Sequence, residues 1–149
     1  MGKHSPNNEE DYFNIHLATM ARLEDQGLVL HDGLEIEEIE SRDGWELTGI
    51  IQCVSGIEIH VRKVIRRKDN GLVQTQTYKY HVMRNGEDAF RYCSPHAYMT
   101  WLDENNHRLH HHKHVYQAGE VIQTITFKSW DDVPTLGEVI DEALKLLEN

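Results

Sequence analysis

The run Tyr78-Lys79-Tyr80-His81-Val82-Met83-Arg84-Asn85-Gly86-Glu87-Asp88-Ala89-Phe90-Arg91-Tyr92-Cys93 decides the fold. Asn-Gly between two extended, aromatic-rich segments favours a two-residue type I′ turn, because both central residues tolerate positive φ. A loop of those two residues alone pairs Arg84 with Glu87. Counting outward in regular register predicts Val82 opposite Ala89, Tyr80 opposite Arg91 and Tyr78 opposite Cys93. Directly opposed residues share a face of a sheet. The expected faces are therefore Tyr78, Tyr80, Arg91 and Cys93 on one side, with Lys79, His81, Phe90 and Tyr92 on the other.

Working upstream, more strands line up. Leu34–Ser41 reads as a strand and Arg42-Asp43-Gly44 as a turn. Trp45, Leu47, Gly49, Ile51 and Cys53 alternate along a second strand, and Ser55-Gly56 makes a tight turn. Ile57, Ile59, Val61 and Ile65 continue on a third, and Lys68–Gly71 is a loop before a fourth at Leu72–Met83. Downstream, Val121–Phe127 is a last β-like segment. Helices frame this region. Ser5 reads as an N-cap with Pro6 in the first helical position, and Gly27 closes that helix after Phe13, Leu17, Met20 and Ala21. Thr135 and Glu138 fit a capping box, followed by Leu136, Ile140, Ala143, Leu144 and Leu147 on one face. The pattern predicts an α+β fold, a curved antiparallel sheet of about five or six strands with the N- and C-terminal helices packed on one face. At 149 residues the chain reads as one domain, 1–149. Residues 95–114 have no clean period. They read as a functional loop, with a short helical turn at Ala97–Leu102.

Charge is unevenly spread. The net charge is −10, yet residues 60–114 carry ten basic and five acidic side chains and eight of the eleven histidines. A basic centre between acidic flanks suits a phosphate-bearing ligand, while Glu35, Glu37, Glu38 and Glu40 suit a basic partner. Equally, Arg62, Lys63, Arg66, Arg67 and Lys68 read as a solvated strand end. No apolar run approaches a membrane span, and Cys53 and Cys93 read as reduced thiols in a protein of the cytoplasm.

The histidine-rich segment His107-Arg108-Leu109-His110-His111-His112-Lys113-His114 carries most of the chemistry. Metal-free RNA cleavage needs a base for the 2′-hydroxyl, an acid for the leaving 5′-oxygen and a cation for the phosphorane. His111 and His114 are the expected acid and base, with Arg91 and Lys113 as phosphate clamps and Tyr80 to donate a hydrogen bond or stack a base. If residues 111–114 are extended, His112 and His114 share a face; if helical, His111 and His114 do. Tyr78, His81, His96 and Arg108 are expected to touch substrate. Each also has a plainer reading, as a packed strand residue or a solvated loop residue. No cofactor is expected, although Cys93 and His96 with two histidines from 107–114 would make a tetrahedral zinc set. A non-catalytic RNA- or protein-binding module is the third reading.

The ordered set Tyr78-x-Tyr80-His81, Asn85-Gly86, Phe90-Arg91-Tyr92, Pro95-His96 and His111-His112-Lys113-His114 resembles the TumE-type toxins of toxin–antitoxin pairs. The resemblance implies a growth-inhibiting toxin that cleaves RNA. It also implies an antitoxin partner with a helix-turn-helix DNA-binding domain, and a homo-oligomer is compatible with it. Three positions depart from the family's pattern: Cys93 in place of an acidic residue, His110 in place of proline, and Ala97 in place of a second histidine.

Overall fold

A computed structural model describes residues 8–95 and 110–148. Its spine is an eight-stranded, all-antiparallel open sheet. The strands are β1 (Val29–Asp32), β2 (Glu35–Glu38), β3 (Gly44–Cys53), β4 (Ile57–Arg67), β5 (Val73–Arg84), β6 (Glu87–Cys93), β7 (His111–Gln117) and β8 (Glu120–Phe127). From β3 to β8 each strand pairs with the next, while β1 and β2 share the outer edge of β3. Helices α1 (Glu9–Asp25) and α2 (Leu136–Leu144) stand at either end of the chain. The α+β architecture is as expected, with more strands than the sequence suggested. β1 has four residues, too few to show a period. β7 hides because three of its seven residues are histidines, which hydropathy reads as polar.

Capping fixes both helices. Thr135 and Glu138 form the predicted reciprocal box at the start of α2. At α1 the cap is Asn8, whose side chain accepts from the Asp11 amide, and Ser5-Pro6 lie outside the described residues. Gly27, at φ 71°, ends α1, where the Leu28 amide reaches back to the Leu23 carbonyl. Of the residues expected on the inner face of α1, Met20 is buried but Leu17 is 60% exposed; Leu23 fills that role instead.

Both helices pack on one face of the sheet. Met20 and Leu23 from α1 share a core with Val139, Ile140 and Ala143 from α2 and with Ile57, Ile59, Val61, Tyr78, Tyr80, Val82, Phe90 and Tyr92. A smaller core of Trp45, Leu47, Ile65 and Val73 lies under Tyr12 and Phe13. The other face of the sheet carries neither helix's core contacts.

The central hairpin turns as predicted, then departs from the predicted register. Asn85 and Gly86 both have positive φ, and Arg84 pairs with Glu87. A bulge then intervenes: Met83 pairs with Asp88 but Val82 pairs with Phe90, leaving Ala89 over. Every later pairing shifts by one, giving His81 with Arg91, Tyr80 with Tyr92 and Lys79 with Cys93. The expected Tyr80–Arg91 and Tyr78–Cys93 pairs are therefore corrected. Regular register would drive Arg91 among the helices and leave Phe90 and Tyr92 on the open face. Burying an aromatic ring is worth about 1.5–3 kcal/mol, and an unpaired charge inside a core is costly, so the extra residue is the cheaper solution.

Ile140 is fully buried at the helix–sheet contact. Ile140→Ala should lower unfolding stability by about 2–5 kcal/mol, read as a fall in the urea midpoint with an unchanged slope.

Candidate functional site

The histidine strand divides the predicted site between two faces. β7 pairs with β6 so that Lys113 opposes Tyr92, His114 opposes Arg91, and His112 opposes Cys93. His111 and Lys113 consequently face the helices. His112 and His114 face the other way, with ring centroids 4.9 Å apart. The extended alternative for residues 111–114 is the one observed, so His111 and His114 do not converge.

On the helix side the polar groups hold one another. The Tyr78 hydroxyl lies 2.7 Å from His111 Nδ1, and the two rings stack at 5.7 Å. His111 also packs edge-on against Trp130 at 4.5 Å. Burial pushes the Tyr78 phenol far above its usual range, so it keeps a proton to donate. Lys113 Nζ sits 2.5 Å from Glu142 Oε1 on α2, and the Tyr92 hydroxyl donates to both oxygens of that carboxylate at 2.8 and 3.0 Å. Tyr80, 2% exposed, stacks on Tyr78 at 5.1 Å, with Lys63 Nζ 6.0 Å from its ring. These contacts tie the sheet to α2 and leave Lys113 already neutralised.

The face away from the helices, the open face, is different, and part of it is shielded from solvent: Cys93, His112 and His114 are 5%, 1% and 8% exposed. Its central row runs directly across the strands as His60, His81, Arg91, His114 and Thr124, each the register partner of the next. The adjoining row is Arg62, Lys79, Cys93, His112 and Thr126. Adjacent strands lie about 4.8 Å apart, so the His81 and His114 backbones stand roughly 10 Å apart with Arg91 between them. His81 Nε2 is 2.7 Å from Asp88 Oδ1, within ion-pair reach but without completing a hydrogen bond. His114 Nδ1 lies 3.0 Å from the Thr124 hydroxyl. The Tyr116 ring is 5.9 Å from His81 and 6.4 Å from His114. Arg91 Nε is buried without a hydrogen-bond partner among the described residues. Next to this row is a groove of about 420 Å³ lined by Thr48, Ile50, His60, Arg62, Lys79 and His81.

Burial lowers the His81 pKa below its ordinary 6.5; Asp88 pulls it back up, while Arg91 and His60 add to the lowering. His81 is thus a neutral imidazole near pH 7, able to accept a proton. Burial raises the Cys93 thiol against the opposing pull of Arg91 and Lys79, so Cys93 is a thiol rather than a thiolate.

Among the predicted residues, Arg91, His81, His112 and His114 come together on the open face. Tyr78, Tyr80, His111 and Lys113 come together on the helix side, while His96 and Arg108 lie outside the described residues. Sequence reading missed His60, Lys79, Asp88, Tyr116 and Thr124. One signal was present: Tyr80 and Val82 demand Phe90 and Tyr92 as apolar companions, and only a bulge in β6 supplies them. Among the described residues no group of three or more His, Cys, Asp and Glu is placed to hold a metal. The zinc reading with His96 falls outside them. No helix among them is long and apolar enough to cross a membrane.

A helix-backed antiparallel sheet whose other face carries a histidine–arginine row defines a small α+β protein. The family model described as Toxin TumE matches residues 19–147, and the chain belongs to that toxin family. It is thus the toxin component of a toxin–antitoxin system, with a cognate antitoxin as partner. No curated protein and no solved structure matches the chain.

The His81–Asp88 contact has a measurable sign. Asp88 raises the His81 pKa, so Asp88→Asn should move the imidazole titration further below 6.5, followed by NMR. Stability contributed by neutral His81 is complete above about pH 6.5 and is lost as pH falls through its lowered folded-state pKa. The asparagine variant should therefore show a steeper acid-side loss of stability than wild type.

Proposed function

We propose that the toxin inhibits growth by cleaving RNA on the open face, in the cytoplasm and without a metal ion. The supporting observation is the register row that sets Arg91 between His81 and His114, two imidazoles on either side of one guanidinium. Arg91, with Lys79 and Arg62 in the next row, would hold the phosphate by charge-assisted hydrogen bonds. His81, neutral near pH 7, takes the proton of the 2′-hydroxyl as its oxygen attacks phosphorus. Asp88 then faces a new imidazolium and stabilises it. His114 gives its proton to the departing 5′-oxygen, with the Thr124 hydroxyl at its other ring nitrogen. The products are a 2′,3′-cyclic phosphate and a free 5′-hydroxyl, so protons and bonds balance without a further reactant. Tyr116 offers a ring on which a base can stack.

This reading moves the centre of the chemistry away from His111, Lys113 and Tyr80. Those residues, with Tyr78, support it from behind by anchoring β7 and β5 to α2. His112 lines the same face as His114. The antitoxin is proposed to carry a helix-turn-helix DNA-binding domain and to act by covering the row.

Induced expression should arrest growth with loss of intact RNA. Purified protein should cleave RNA in the presence of EDTA, leaving 5′-hydroxyl ends. His81→Ala, His114→Ala and Arg91→Ala should each slow cleavage by about 10²–10⁴-fold while the circular dichroism spectrum is retained. A wild-type protein that arrests growth while RNA stays intact would refute the ribonuclease reading and leave the toxin assignment standing.

A further inference from the structure

We infer that two copies of this chain join through the outer edges of β8, in an antiparallel pair centred on Thr124, to make one continuous sheet. Among the described residues β8 is the last strand of the sheet and pairs with β7 alone. Its eight residues, Glu-Val-Ile-Gln-Thr-Ile-Thr-Phe, contain no proline, glycine or basic residue and only one charge, at the first position. Val121 and Ile122 are 48% and 58% exposed. Folded proteins normally protect such an edge with lysine, proline or a covering element, because its backbone groups are open to a further strand. The opposite edge is protected: β2 is four residues long and three are glutamate.

The sequence of β8 favours a second copy as the occupant. An antiparallel pair about a twofold axis opposes residues whose numbers have a constant total. With Thr124 facing its own counterpart, Ile122 faces Thr126, Val121 faces Phe127, and Glu120 faces Lys128. The charges at the two ends of the segment then meet twice with opposite sign, and no like charges oppose one another. An interface of this kind is isologous, as closed dimers require. Because directly paired residues share a face, the His60–His81–Arg91–His114–Thr124 row of one copy continues through Thr124 into the same row of the other. Ligand would meet one face with two such rows in opposite directions. The inference does not rest on the ribonuclease reading, since the pairing follows from the edge itself.

A charge swap tests both the partner and the register. Sedimentation equilibrium of the purified full chain should show a reversible dimer in the micromolar range. Glu120→Lys alone and Lys128→Glu alone each create two like-charge contacts and should weaken dimerisation by about tenfold at low salt. The double variant, Glu120→Lys with Lys128→Glu, should restore wild-type affinity. A wild-type monomer at 100-fold higher concentration (about 100 μM) would overturn the proposal, as would a double variant as weak as the singles.

Discussion

One extra residue in β6 governs which groups of this molecule can meet. With Ala89 left out of the ladder, Phe90 and Tyr92 enter the helix-side core and Arg91 emerges between His81 and His114. The driving term is apolar burial, since two aromatic rings gain the interior and a guanidinium avoids it. Strand pairing transmits the result across the sheet. Once Arg91 is placed, the pairings on either side bring His60, His114 and Thr124 into the same row. The bulge is therefore a device of packing with chemical results.

The two faces divide labour in a way that neither face shows alone. On the helix side, Glu142 gathers Lys113 and Tyr92, and Tyr78 holds His111. This half-buried carboxylate is satisfied by one cation and one phenol, and losing either partner would loosen the tie between the sheet and α2. β7 is thereby fixed in rotation about its own axis. His112 and His114 must then face outward, because alternate side chains of a strand leave opposite faces. Rigid support behind the sheet aims the imidazoles in front of it.

The sequence made much of this legible, and the illegible parts have physical causes. The helix at Thr135, the turn at Asn85-Gly86 and strands β3 to β6 rest on local signals such as capping, positive φ and alternation. Those signals survive in any tertiary context. The face assignment in the central hairpin depended on strict alternation, and a single bulge inverts every later residue. β7 went unseen because histidine carries no consistent burial signal. His111 and His112 are 6% and 1% exposed, and the Tyr78 and Trp130 contacts of His111 lie far off in sequence. Asp88 and Thr124 were equally invisible, since each matters only through a register partner or neighbour on another strand. The extended option for residues 111–114, reached from periodicity alone, did place His112 and His114 together.

Two turns at one end of the sheet illustrate how a fold constrains its own future variation. Gly56 and Asn85 come from different hairpins, and the Asn85 amide nitrogen of the backbone donates to the Gly56 carbonyl at 2.8 Å. A β-carbon at position 56 would fall 2.0 Å from Asn85 Oδ1. A side chain at position 56 would require the Asn85 carboxamide to move and would be strained by the positive φ there, which Asn85 shares. Replacing Asn85 with glycine would open the space beside position 56 but leave its positive φ, so glycine stays favoured at 56 for a backbone reason that its neighbour cannot lift.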